Sequence, residues 1–266
     1  MEIVQIIVLA IVQGITEFLP ISSSGHLILV PRFFGWPDQG LAYDAAIHIG
    51  TLLAIALYFR VQLTQMAGAW LRSIAHREHS PDSRLAWVIL WGSVPVGLAG
   101  VLFNDYIEAN FRSPMLVAST LAGWGIVLWL ADRFGPRRRD EYSITWRDGM
   151  IIGFAQALAL VPGTSRSGIT MTAGLSLGLT RDAAARFSFL LAVPATAAAA
   201  VLEVWKMTQA VVPIDWTAVV LGIVLAGVSG LACIHFLLRF LQRFGMLPFT
   251  IYRLLLAGFI VYVFAA

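Results

Sequence analysis

Charge is what this sequence has least of. Asp, Glu, Lys and Arg make up 12% of its 266 residues, while 59% are apolar and mean hydropathy is +0.80. Soluble domains carry charge on about 25% of positions, so a soluble globular fold is excluded. The composition reads as an all-α, polytopic integral membrane protein. Cysteine is nearly absent as well: Cys233 stands alone, which excludes an internal disulfide framework and a cysteine-rich metal site. No basic segment precedes the first apolar run, where Met1 is followed by Glu2, and no cleaved signal peptide is expected. A net charge of +3 is too small to imply a nucleic acid partner. Where the charges fall matters more than their sum.

What is there is apolar sequence, and two stretches of it are broken. Spanning helices are expected over 43–59, 85–103, 114–130, 184–204, 216–238 and 248–264. A polar loop, 60–84, follows the first. A short acidic loop with Asn104, Asp105 and Glu108 follows the second, and a basic loop, 132–148, containing Arg137, Arg138 and Arg139, follows the third. The first broken stretch, 2–19, carries Gln13, Thr16 and Glu17 and runs into Pro20, Ser22, Ser23, Ser24, Gly25 and His26. The apolar piece after it, 27–34, would rise about 12 Å as helix against a hydrocarbon core of about 30 Å. The second, 156–172, puts Pro162, Gly163, Thr164, Ser165, Arg166, Ser167 and Gly168 into the middle of apolar sequence. Such breaks survive in a bilayer only when buried in protein or lining a wet cavity. Both read as re-entrant helical hairpins.

The two breaks repeat one another. Residues 13–25 read QGITEFLPISSSG and 156–168 read QALALVPGTSRSG; downstream, 44–54 is DAAIHIGTLLA and 182–192 is DAAARFSFLLA. Hairpin then span, twice in the same order, argues for internal repeats, approximately 1–131 and 149–266, in one membrane domain. Three spans separate the hairpins, so the repeats are inverted and the breaks can meet near the midplane. This arrangement places twelve of the 18 basic residues on one side, among them Arg60, Arg84, Arg133, Arg137 to Arg139, Arg147, Arg181 and Arg243. Arg32, Arg112 and Lys206 fall on the other. The positive-inside rule makes the basic side cytoplasmic and both termini periplasmic.

Anion binding is the chemistry on offer. Backbone amides around two glycines, hydroxyls from Thr164, Ser165 and Ser167, and the permanent charge of Arg166 form a nest for phosphate or carboxylate. Its alternative is a Gly/Ser-rich kink with Arg166 snorkelling outward. Gln13 and Glu17 share a helical face, and an intramembrane carboxylate is a functional candidate with Arg166 as its natural partner. A purely structural ion pair is the alternative there. Ser22, Ser23 and Ser24 could cap a helix or supply a nucleophile. His26 is as consistent with an interior hydrogen bond as with a general acid, and His48 reads as structural. Together these residues suit phosphoryl transfer on an amphiphile; an anion transporter on an inverted-repeat scaffold fits them equally.

The segments EFLPISSSGH at 17–26 and PGTSRSGIT at 162–170 resemble the two signature regions of the undecaprenyl pyrophosphate phosphatase family, also called BacA. The resemblance extends through the DAA segments and covers essentially the whole chain. It implies a bacterial inner-membrane hydrolase that removes the terminal phosphate of a C55 polyprenyl pyrophosphate and recycles the lipid carrier of cell-wall synthesis. It implies a site open to the periplasm and a divalent cation, Mg2+ or Ca2+. Carried over, it makes Glu17, Ser23, His26 and Arg166 catalytic. Ser22, Ser24, Gly163, Thr164, Ser165, Ser167 and Gly168 would hold the pyrophosphate, and Gln13 with Glu17 the metal. Gln13 stands where other members carry Glu and brings no charge. The expected partners are the prenyl pyrophosphate, membrane lipid and, as an option, a second copy in a homodimer.

Overall fold

The computed structural model describes residues 1–111, 113–209 and 215–265. Eleven α-helices run through them: α1 (Ile3–Thr16), α2 (Ser23–Phe34), α3 (Leu41–Tyr58), α4 (Arg60–Ala75), α5 (Pro81–Asn110), α6 (Pro114–Phe134), α7 (Trp146–Ala157), α8 (Arg166–Ser176), α9 (Arg181–Gln209), α10 (Trp216–Leu241) and α11 (Leu247–Ala265). The described residues hold no strand, only one isolated bridge between Arg139 and Leu179. The protein is an all-α polytopic membrane protein. Five segments are long and apolar enough to cross a bilayer: Pro81–Phe103, Pro114–Phe134, Arg181–Lys206, Trp216–Leu241 and Leu247–Phe264. The pair Ala42–Tyr58 and Arg60–Ala75 is long and apolar enough only when its two helices are taken together, and these are bent by 80° at the break between them.

Local sequence explains where the helices start. Ser80 and Ser83 form a reciprocal capping box ahead of α5, with Pro81 at its first position, and Thr145 with Asp148 does the same for α7. Small residues then set the helix spacing. A Cβ on Gly14 would meet Ser229 Oγ at 2.0 Å and one on Gly153 would meet Gly92 O at 2.2 Å, so α1 lies directly on α10 and α7 on α5. The packing is paired: α1 and α3 lie against α10, α7 and α9 against α5, and α6 against α11. Phe18 meets the edge of Phe189 at 5.4 Å between centroids, and Phe59 tilts on Phe189 at 6.4 Å. Outward faces stay apolar, with Leu255, Val228 and Leu98 exposed on three spans, as a lipid-facing surface requires.

Two expected loops are helical. The polar stretch 60–84 contains α4, because Met66 and Ala69 bury against the core with Leu63 and Trp70 beside them. Arg60 and Arg72 of the same helix stay exposed, an amphipathic pattern that lies across the end of the bundle. The acidic residues at 104–108 sit within α5, which continues to Asn110. Arg112, counted with the sparse side of the charge distribution, is outside the described residues.

The basic loop 132–148 is tied down at one end of the bundle. Arg139 donates to Asp148 Oδ2 at 2.6 Å, to Ser143 O at 2.7 Å and to Leu177 O at 2.9 Å. Arg181 grips both oxygens of buried Asp132, at 2.5 and 3.1 Å, while Met246 N donates to that carboxylate at 2.9 Å.

Candidate active site

Both chain breaks turn on a serine in the left-handed region. Ser22 has φ 73° and Ser165 φ 70°. Each accepts a hydrogen bond from the amide three residues on, Gly25 N at 3.4 Å and Gly168 N at 3.2 Å, so each caps the helix that follows. Each hydroxyl also touches a second one at 3.2 Å, Ser24 in the first break and Ser167 in the second. A left-handed non-glycine residue costs on the order of 1–3 kcal/mol and persists where the surroundings over-determine it. The second break adds Gly163 at φ +86°, where a Cβ would meet Thr120 Oγ1 at 2.2 Å. Only glycine fits there.

The breaks meet, and Glu17 stands where they do. Ser23 Oγ donates to Glu17 Oε2 at 2.6 Å, and Gln13 Nε2 donates to the same oxygen at 3.0 Å. Arg166, from the second break, donates to Glu17 Oε1 at 3.0 Å across 149 residues of chain. Ser167 Oγ closes the junction by donating to Leu19 O at 3.0 Å. Ser23 and Arg166 occupy the same place in the two breaks, each one residue after the strained serine, so the local fold that aims one at Glu17 aims the other. A cavity of about 250 Å³ opens beside them, lined by Glu17, Ser22, Ser23, Ser24, Ser165 and Arg166 and also by His48, Gln156 and Glu203.

Other expected site residues shape this junction from behind. Gly163, Thr164, Ser167 and Gly168 are buried and do not line the cavity. Nor does His26, whose ring is engaged at both nitrogens. Nδ1 donates to Ser22 O at 2.7 Å, which leaves Nε2 of the neutral ring to accept from the Tyr252 hydroxyl at 2.5 Å. His48, read from sequence as structural, does face the cavity. Its Nδ1 donates to Asp44 O at 2.8 Å, so its proton is placed and Nε2 is the ring's remaining site.

Arg253 is the residue sequence reasoning passed over. Fully buried in α11, it donates to Leu121 O, Pro20 O, Thr120 O, Gly163 O and Thr164 O at 2.8–3.2 Å. One guanidinium thus satisfies carbonyls freed by both breaks, as irregular backbone at membrane depth requires. An arginine inside the last apolar run was itself the available signal.

Known proteins share this sequence nearly end to end. The chain is 53% identical to undecaprenyl-diphosphatase 2 of Stutzerimonas stutzeri (strain A1501), over 100% of this chain and 99% of the relative. It is 52% identical to the undecaprenyl-diphosphatase of Nitrosococcus oceani over 100% of both chains, and 51% identical to that of Thioalkalivibrio sulfidiphilus over 99% and 100%. The family model described as bacitracin resistance protein BacA matches residues 6–259, a stretch that holds both breaks, Glu17 and Arg253. The chain belongs to the BacA family.

Proposed function

We propose that this protein hydrolyses undecaprenyl diphosphate to the monophosphate and inorganic phosphate, and so returns the lipid carrier of cell-wall synthesis to use. The observation that carries this is the junction of Ser23 and Arg166 on Glu17 beside a cavity of about 250 Å³. The names of the relatives agree with it. Ser23 Oγ attacks the terminal phosphorus and passes its proton to Glu17. The bond from that phosphorus to the bridging oxygen breaks, and the lipid monophosphate leaves with that oxygen and with the proton that Glu17 took, which returns Glu17 to its carboxylate form. Water then cleaves the serine phosphate with Glu17 as base, freeing inorganic phosphate and restoring the hydroxyl. Phosphoryl transfer asks little of a base and much of charge neutralisation. Arg166 supplies that, since most of its five N–H groups remain free to reach non-bridging oxygens.

A divalent cation, Mg2+ or Ca2+, belongs to this proposal. Gln13 Oε1 is buried without a partner, one turn from the Glu17 carboxylate, and the two would hold the ion. Among the described residues no three His, Cys, Asp or Glu stand close enough to form a protein-only site, which suits an ion that takes several ligands from substrate phosphates. When bound it neutralises phosphate charge.

We further propose two inverted repeats with the cavity open to the periplasm. Supporting this are the paired helix contacts and the matched Ser22 and Ser165 caps. Glu203, on the cavity wall, lies 22 residues beyond Arg181 on α9, about 33 Å from the arginine-rich end. Purified protein should release phosphate from undecaprenyl diphosphate and lose that activity with chelator or with Ser23→Ala. Ser23→Ala at the wild-type rate would remove the serine mechanism, and no release by wild type would overturn the function.

A further inference from the structure

Two glutamines precede the two breaks at equivalent positions, and both are 0% exposed. Gln13 donates to Glu17. Gln156 has no partner within the protein at either Nε2 or Oε1, yet it lines the cavity that holds Glu17, Ser23 and Arg166. A buried polar group without a hydrogen bond costs about 1–3 kcal/mol, so an apolar side chain of equal length would serve the fold better. The packing of α7 gives Gln156 nothing to do.

A ligand does. Phosphate oxygens only accept hydrogen bonds, and the cavity's other groups that can donate to them come chiefly from the two breaks: serine hydroxyls and the Arg166 guanidinium. Gln156 approaches from the end of α7, behind the second break, and adds a neutral N–H pair that needs no counter-charge. Its Oε1 offers the acceptor for a hydroxyl or water beside the phosphate. We propose that Gln156 is a substrate-contacting residue whose Nε2 donates to a non-bridging oxygen of the bound diphosphate. This rests on the phosphatase reading of the same cavity.

The test uses full-length protein in detergent, a non-hydrolysable prenyl diphosphate analogue with P–CH2–P in place of P–O–P, and two near-isosteric variants. Gln156→Met should keep or raise the unfolding temperature, because no protein hydrogen bond is lost, while weakening analogue binding about tenfold. Gln156→Glu should weaken it further, because a carboxylate repels the phosphate. Methionine variant binding equal to wild type would overturn the proposal, since water then satisfies the amide as well as substrate does. A fall in unfolding temperature for Gln156→Met would overturn it too, by showing the amide to be structural. Wild type that binds no analogue would instead bring down the phosphatase reading itself.

Discussion

Glu17 is the residue on which the proposed chemistry depends, and its three neighbours should not be interchangeable. Arg166 holds one carboxylate oxygen and Ser23 the other. Arg166→Lys keeps a charge but loses the planar fork, so kcat/KM should fall at least about 100-fold, roughly 2.7 kcal/mol of barrier. A near-normal rate in steady-state phosphate release would mean the residue supplies only diffuse charge. Glu17→Gln should abolish cation-dependent release, whereas Gln13→Glu should keep or tighten cation binding, read by titrating Mg2+ or Ca2+ against activity and against unfolding temperature. His26 is bonded at both nitrogens and stands off the cavity wall. His26→Ala should therefore still form a phosphoenzyme that rapid quench can trap, and an acid-labile, base-stable adduct in wild type would instead name histidine as nucleophile. The sequence offered Ser23, His26 and Arg166 as a set because it shows spacing and not direction. Which of them share a cavity depends on backbone angles at Ser22 and Ser165 that no local preference of serine favours.

At the scale of elements, the second break is held from two sides. Arg253 from α11 bridges it to the first break, and Arg253→Met would orphan carbonyls from both in a dry interior. Hydrogen bonds to charged groups contribute about 1.5–3 kcal/mol, so the variant should unfold at markedly lower temperature and lose activity with it. On the other side, Arg139 pins the basic loop to the start of α7 and the end of α8. Burial of the Asp148 carboxyl opposes its charge, but hydrogen bonds from Arg139 and Thr145 outweigh that and hold its pKa below the usual carboxylate value. A depressed folded pKa contributes stability above about pH 4, the unfolded value, and loses it as pH falls through the lower folded one. Asp148→Asn should cost about 1–2 kcal/mol near neutrality and flatten the acid limb of thermal stability below pH 4. An unchanged acid limb would assign that limb to other carboxylates. The helical identity of α4 was hidden in sequence because Arg60, Arg72 and Arg84 made its stretch look like loop. Its buried face becomes readable only against the bundle.

Across the whole molecule, the charge distribution sets the expected orientation. With Cys233 replaced, a cysteine at position 138 should resist impermeant reagents in intact spheroplasts, and labelling there would invert the assignment. Span positions and the two breaks follow from sequence alone, because hydropathy, proline and arginine act locally and the bilayer penalises each one independently. All six expected spans, 43–59 through 248–264, fall on helices. The repeat of 13–25 at 156–168 likewise named the two segments that meet. Contact across 149 residues of chain is another matter. That Glu17 pairs with Arg166, that Arg253 binds carbonyls of both breaks, and that His48 and Gln156 face the cavity while His26 does not are decided by how α7 sits on α5 and α1 on α10. A side chain's direction at membrane depth is set by close backbone approach at Gly14, Gly153 and Gly163, where a few tenths of an ångström separate contact from clash.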